Sequence, residues 1–178
     1  MKVVFLDIDG VLQPYDTQNN FYSIDKQNKK LVTDLSIKHN IDYAKYNIYD
    51  ILMVYYDWHP KAIARLKSIL DDTLAKIIIS SDWKSDRLPN KMHDLLAIHD
   101  LDKYWYGDNI IIKKPLEAFE IRRLEIEDSL KRYPIDNYVI LDDMEGLKQY
   151  FPNNSVITHD YISLLDMNDA VKILKKTR

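Results

Sequence analysis

The stretch that decides the fold is "KVVFLDIDGVL", residues 2–12 of the 178-residue chain. Its apolar residues 3–6 are typical of a strand buried on both faces of a parallel sheet. Asp7 and Asp9 follow that run, and Gly10 comes directly after them. Because residues i and i+2 of an extended chain point to the same side, the two carboxylates are expected to lie together. Such a pair repels unless a cation lies between its members, and Mg²⁺ prefers oxygen ligands of this kind.

Further apolar runs predict three more strands, over residues 75–80, 137–143 and 155–160, and the short run at 110–113 predicts another. Apolar residues at helical spacing predict helices over residues 59–72, 115–133 and 166–176. In the last of these, an aspartate is available as the N-cap. Strands that alternate with helices predict an α/β fold with a doubly wound, mainly parallel sheet, formed by residues 1–178 as a single domain. Function is then expected at the carboxyl ends of the strands.

Residues 13–57 interrupt this alternation. The segment is polar at first and then rich in tyrosine ("IDYAKYNIYDILMVYYDW"). Connections of this length are usually functional lids or contain secondary structure of their own. We therefore predict a flap or minimal cap over the site, with one or two helices. Its tyrosines are explained by packing or by stacking on bases.

Composition limits the classes of function. The net charge of −3 gives no general attraction to nucleic acid or to anionic membranes. The absence of cysteine excludes disulfides and thiolate metal sites. Neither a signal peptide nor an apolar run near the roughly 18 residues of a membrane helix is visible. The expectation is a cytoplasmic protein without membrane association or an evident obligate protein partner, and its oligomeric state is left open.

A second acidic pair, Asp142 and Asp143, ends another apolar run, "YVILDD". If this strand neighbours the first one, three or four carboxylates converge on one point with Asp7 and Asp9. That concentration of negative charge requires a cation. The predicted metal residues are therefore Asp7, Asp9, Asp142 and Asp143, with Mg²⁺ as the cofactor.

The stretch "DIDGVL" resembles the first motif of the haloacid dehalogenase (HAD) superfamily. The resemblance implies that Asp7 is the nucleophile that accepts a phosphoryl group, and that Asp9 is the general acid and base. It also implies that Mg²⁺ is held by Asp7, by the backbone carbonyl of Asp9 and by Asp142. Asp143 then binds the ion through water or serves as an alternative ligand.

Two further motifs of that superfamily have counterparts here. "KIIISSDW" resembles the second motif, a strand that ends in a hydroxyl residue, so that Ser80 and Ser81 are the predicted phosphate-binding residues. The third motif is a lysine upstream of the final acidic pair, and Lys114 followed by Pro115 is similar to it. Arg122 is the rival for this cation.

More narrowly, "SSDWKSDR", "RRLEI" and "YVILDD" resemble the small HAD domains of predicted Swiss Army Knife RNA-repair proteins. Those domains have an SSxWR-like second motif and an R-x-x-E-I helix before the acidic pair. This closer resemblance implies Arg122 in place of Lys114 as the phosphate-binding cation. It covers nearly the whole chain outside residues 13–57.

The predicted function is a Mg²⁺-dependent phosphomonoesterase that works through an aspartyl-phosphate. One alternative is a phospho-acceptor signalling domain of the response-regulator type, which also gathers aspartates, a hydroxyl and a lysine around Mg²⁺. There, however, the adjacent acidic pair lies on the first strand and the acceptor on a later one. A catalytically idle HAD-like binding domain is the other alternative. The interval between the first two motifs leaves no room for a full α/β cap, which predicts an open site for a phosphorylated substrate. The alternatives for that substrate are a nucleotide, a polynucleotide end and a phosphoprotein.

Overall fold

The fold is a five-stranded parallel sheet with helices on both faces, in a computed structural model that describes residues 1–17, 22–84 and 88–176. In chain order the strands are β1 (Lys2–Leu6), β2 (Lys76–Ile79), β3 (Trp105–Asp108), β4 (Asn137–Asp142) and β5 (Ser155–Ile157). Their order across the sheet is β3-β2-β1-β4-β5, and every pairing is parallel. The predicted α/β class and doubly wound sheet are confirmed.

The central strands are buried on both faces, which explains their continuous apolar runs. In β1, Val4 and Leu6 belong to the core on one side of the sheet. Val3 and Phe5 point to the other side and belong to a smaller core. β4 is buried along its whole length. The burial of β1 and β4 therefore fixes the position of the residues that follow their carboxyl ends.

In the described ranges, six α-helices accompany the sheet. They are α1 (Lys26–His39), α2 (Ile48–Asp57), α3 (Pro60–Thr73), α4 (Lys91–Ala97), α5 (Ala118–Arg132) and α6 (Leu164–Lys175). Within the described part of the chain, no helix is both long and apolar enough to cross a membrane. The cytoplasmic location stays a prediction.

Three boundaries differ from the sequence prediction. The run at 110–113 is not a strand; the neighbouring residues Trp105–Asp108 pair with β2 instead. In that run, the backbone N–H of Ile112 donates to Glu125 of α5, at 3.0 Å, rather than to a strand. α5 begins at Ala118, three residues after Pro115, and α6 is capped by Ser163 rather than by an aspartate. The short helix α4 was not predicted.

Residues 13–57 contain α1 and α2, with a 3-10 turn at Tyr43–Lys45 between them. This segment packs into the main core, where Tyr43 and Val54 are fully buried. It is also tied to α4, since the Tyr43 hydroxyl donates to the carbonyl of Asp94 at 2.7 Å. Part of the predicted flap, residues 18–21, lies outside the described residues, and the role of the segment as a flap stays a prediction.

Candidate active site

The site lies at the carboxyl ends of β1 and β4, the two strands between which the strand order reverses. Crevices at such a reversal are the usual ligand sites of open α/β sheets. The backbone hydrogen-bond ladder continues past the strand ends. The backbone N–H of Asp7 donates to the carbonyl of Leu141 at 3.0 Å, and the backbone N–H of Ser80 donates to the carbonyl of Leu6 at 2.9 Å. Asp7, Asp142 and Ser80 therefore start from one edge of the sheet.

Three carboxylates from the described part of the chain meet there. Asp7, Asp142 and Asp143 each place an oxygen within 4.8 Å of the others. Asp7 and Asp142 are buried, with 4% and 0% of their surface exposed. Burial, and after it the charge of Asp7, raises the pKa of Asp142 well above its ordinary value. An all-oxygen set with this excess of negative charge fits a hard divalent cation such as Mg²⁺.

The guanidinium group of Arg122, on α5, forms ion pairs with two carboxylates of this cluster. Its Nη1 atom lies 2.7 Å from Asp142 Oδ2 and 3.2 Å from Asp7 Oδ1. Although burial opposes its charge, Asp7 and Asp142 raise the pKa of Arg122 further above its ordinary value. Lys114 is exposed, and no ion pair among the described residues includes it. The structure thus brings Arg122 to the carboxylates and leaves Lys114 outside.

Asp9 is turned differently from Asp7. Its carboxylate is not one of the three that converge among the described residues; Oδ2 instead accepts a hydrogen bond of 3.0 Å from Trp83 Nε1. Burial raises the pKa of Asp9, the bond from Trp83 lowers it, and the charges of Asp7 and Asp143 raise it again. The net result is a raised pKa for Asp9, which favours the protonated form of its carboxyl group. Its predicted part in metal binding rests on the backbone carbonyl and stays a prediction.

Ser80 and Ser81 begin the loop after β2. Ser80 Oγ is buried and has no hydrogen-bond partner among the described residues, which is rare for a buried hydroxyl. Ser81 Oγ accepts from the backbone N–H of Trp83 at 3.4 Å, so that it shapes the loop. The last three residues of "SSDWKSDR" lie outside the described part of the chain.

A buried ion pair holds the same loop to α5. Lys84 Nζ lies 3.0 Å from Glu125 Oε2 and donates to the carbonyls of Ser80 and Ser81, both at 3.1 Å. Sequence reasoning did not select Lys84 or Glu125. The available signal was that Lys84 occupies the arginine position of the SSxWR-like motif and that Glu125 is the glutamate of R-x-x-E-I. Trp83, interpreted from sequence as a packing residue, does pack on Trp58 but also donates to Asp9.

Gly10 lets the chain turn directly after Asp9. Its φ of +69° lies in the left-handed region that favours glycine. A Cβ atom there would lie 2.8 Å from the Tyr15 hydroxyl and 3.0 Å from Asp143 Cβ. The Tyr15 hydroxyl itself donates to the Asp143 carboxylate, a contact that sequence reasoning missed. The close approach of Tyr15 and Asp143 therefore depends on the absence of a side chain at Gly10.

We expect Gly10→Ala to lower the free energy of unfolding by about 1–3 kcal/mol, because the left-handed backbone and the displaced Tyr15 both cost energy. Urea unfolding measures the change. Gly107→Ala is the matched control, since its nearest neighbour would be the Tyr133 hydroxyl at 4.0 Å. Equal losses in the two variants would contradict the strain assigned to Gly10.

Comparison with known proteins gives one family. Residues 3–168 match the family model described as the HAD domain in Swiss Army Knife RNA repair proteins. Among curated proteins, none matches the chain. The matched region includes β1 from Val3 onward, the other four strands, the three converging aspartates, the serine loop and Arg122.

Proposed function

Because the chain belongs to the HAD domain family of Swiss Army Knife RNA repair proteins, we propose that it is a Mg²⁺-dependent phosphomonoesterase with Asp7 as nucleophile. Membership of the HAD superfamily supports a hydrolase rather than a response-regulator domain. The observation that carries the proposal is the convergence of Asp7, Asp142 and Asp143 within 4.8 Å at the reversal of strand order.

In the first step, an Asp7 carboxylate oxygen attacks phosphorus and the ester P–O bond breaks. Asp9 gives its proton to the departing oxygen, which leaves as an alcohol. The products are the aspartyl-phosphate of Asp7 and an ionised Asp9. The elevated pKa of Asp9 favours the protonated start, since the group is partly withdrawn from water.

In the second step, the ionised Asp9 removes a proton from water, whose oxygen attacks phosphorus and releases phosphate from Asp7. Ser80 Oγ and the Arg122 guanidinium would bind phosphate oxygens, which carry the negative charge in both steps. Asp7, Asp142 and Asp143 would hold Mg²⁺, which when bound neutralises charge on the carboxylates and the phosphate.

The proposed substrate is a nucleotide or a polynucleotide end. The described part of residues 13–57 contributes two helices packed on the core rather than a separate α/β cap, which supports a large substrate over a small enclosed one. The RNA repair proteins in which the family occurs favour nucleic acid over a phosphoprotein. The net charge of −3 means that attraction to the phosphate backbone must be local to the site.

A phosphatase screen tests this function. Purified protein is assayed with and without Mg²⁺ on nucleotides, on 5′- and 3′-phosphorylated oligonucleotides and on sugar phosphates. We expect Mg²⁺-dependent release of phosphate, fastest with nucleotides or oligonucleotide ends. Mg²⁺ binding without turnover of any monoester would favour the idle HAD-like binding domain instead.

We also expect Trp83→Phe to slow hydrolysis of alkyl phosphates about tenfold, because it removes the N–H that orients Asp9 while an aromatic ring remains. With p-nitrophenyl phosphate, whose leaving group needs little protonation, the loss should be less than about threefold. The measurement is kcat for both esters. Equal losses for both would mean that Trp83 acts on the fold and does not position the acid.

A further inference from the structure

A cavity of about 490 Å³ lies beside the proposed active site, at the carboxyl end of β3. Apolar and polar side chains both line it; the polar ones are Lys84, Asn90, Asp108 and Asn109, of which the last two come from the strand end. The wall residues used below are Trp105, Pro89, Ile110, Ile111, Asp108 and Asn109. A few polar groups among apolar and aromatic walls are typical of small-molecule sites.

The hydrogen-bond ladder gives the position of this cavity relative to Asp7. Asn109 donates its backbone N–H to Ile79 at 2.8 Å, as Ser80 does to Leu6 on the neighbouring strand. Asp7, Ser80 and Asn109 are therefore the first residues after three adjacent strands. With roughly 4.8 Å between neighbouring strands, the edge of the cavity lies about 10 Å from Asp7. A nucleoside attached to a phosphate at Asp7 spans such a distance.

Two polar side chains of the wall have unused bonding capacity. Asp108 Oδ1 accepts from Trp105 Nε1 at 3.0 Å, and a carboxylate has a second oxygen for another donor. Asn109 Oδ1 accepts from Ser129 Oγ at 2.6 Å, while its Nδ2 is buried with no partner in the described ranges. Buried donors without a partner are rare in folded proteins, which indicates a ligand or a water at this place.

We propose that this cavity binds the base of the substrate nucleoside and prefers bases with an exocyclic amino group to uracil. The proposal rests on the proposed phosphatase function, since it places the phosphate at Asp7. The amino group of cytosine donates to the Asp108 carboxylate, whereas uracil turns carbonyl oxygens toward that negative charge. Trp105, Pro89 and the two isoleucines supply flat and apolar contacts for the ring.

The first test needs no mutation. We compare kcat/KM for cytidine and uridine monophosphates, as matched 5′ and 3′ isomers, with that for ribose 5-phosphate. The expected preference for cytidine over uridine is about tenfold, as for one hydrogen bond to a charged acceptor. The monophosphate of pyrimidin-2-one riboside, which lacks the amino group, should lose this preference. Equal values for all these esters would overturn the base site while the phosphatase stands.

Asp108→Asn tests the residue. The asparagine keeps an oxygen for Trp105 and exchanges the other for an N–H donor, so the preference for cytidine should disappear or reverse toward uridine. Asp72→Asn, an exposed substitution on α3, is the matched control and should leave the ratio unchanged. A preference that survives Asp108→Asn would overturn the role of Asp108.

Calorimetry with unphosphorylated cytidine and uridine separates this proposal from the proposed function. If no monoester is hydrolysed but cytidine binds more tightly than uridine, the phosphatase fails and the base site stands. If neither nucleoside binds and no preference is seen in turnover, the base site is wrong.

Discussion

Asp7→Asn is expected to lower kcat/KM for phosphomonoesters by about a thousandfold or more, because an amide oxygen is a poor nucleophile toward phosphorus. The fold should persist, since asparagine has nearly the size of aspartate and one negative charge leaves a crowded cluster. The substitution also removes one of the charges that raise the pKa of Asp142. The measurements are steady-state kinetics with Mg²⁺ and thermal unfolding of the same preparation.

The matched control for this prediction is Asp72→Asn, which makes the same chemical change at an exposed position of α3. It should retain full activity. Substantial phosphatase activity in purified Asp7→Asn would refute the assignment of the nucleophile. Loss of activity together with loss of the folded state would instead show that Asp7 is needed for folding.

Arg122→Met is expected to cost about 3–5 kcal/mol in the free energy of unfolding near neutral pH, measured without metal. The methionine fills much of the same space but leaves Asp7 and Asp142 buried without their guanidinium partner. Urea or thermal unfolding measures this loss. Mg²⁺ should restore stability in the variant more than in the wild type, because a bound cation replaces part of the missing charge.

The pH dependence of this loss has a definite sign. Burial and Asp7 raise the pKa of Asp142 in the folded state, so that the native protein binds more protons than the unfolded chain. Stability from this group is present below the unfolded pKa of about 4 and is lost as pH rises through the raised value. Without Arg122 that rise is larger, and the cost of Arg122→Met should therefore grow with pH.

Arg123→Met is the matched control on the same helix. Arg123 pairs with Glu127 at 2.8 Å in a partly exposed i,i+4 contact, and the expected loss is under about 1 kcal/mol at any of these pH values. Comparable losses in the Arg122 and Arg123 variants would contradict the assignment of a buried charge cluster.

Much of the central sheet could be predicted because its strands are buried on both faces. The runs at 2–7 and 137–143 differ from β1 and β4 by a single residue each. β3 was missed because "WYGD" contains glycine and aspartate, which are uncommon in strands, while the more apolar run beside it was selected. The apolar character of a run therefore predicted which strands are buried, but it did not predict which residues pair with β2.

The site was predictable only as far as it follows from strand ends. Asp7 and Asp142 meet because β1 and β4 are neighbours, a pairing that the sequence left as a condition. The choice between Lys114 and Arg122 depends on the rotation of α5 against the sheet, which periodicity alone does not give. The bond from Trp83 to Asp9 joins residues 74 positions apart and needs the packed loop.

The central claim is that Asp7 itself takes up the phosphoryl group. The most direct measurement is rapid acid quenching of the wild-type protein during turnover of a ³²P-labelled monoester with Mg²⁺. Borohydride reduction and peptide mass spectrometry then locate the acyl phosphate. We predict a covalent phosphate on Asp7 that forms and decays at rates compatible with turnover. Turnover with no covalent phosphate, or with phosphate on another residue, would contradict it.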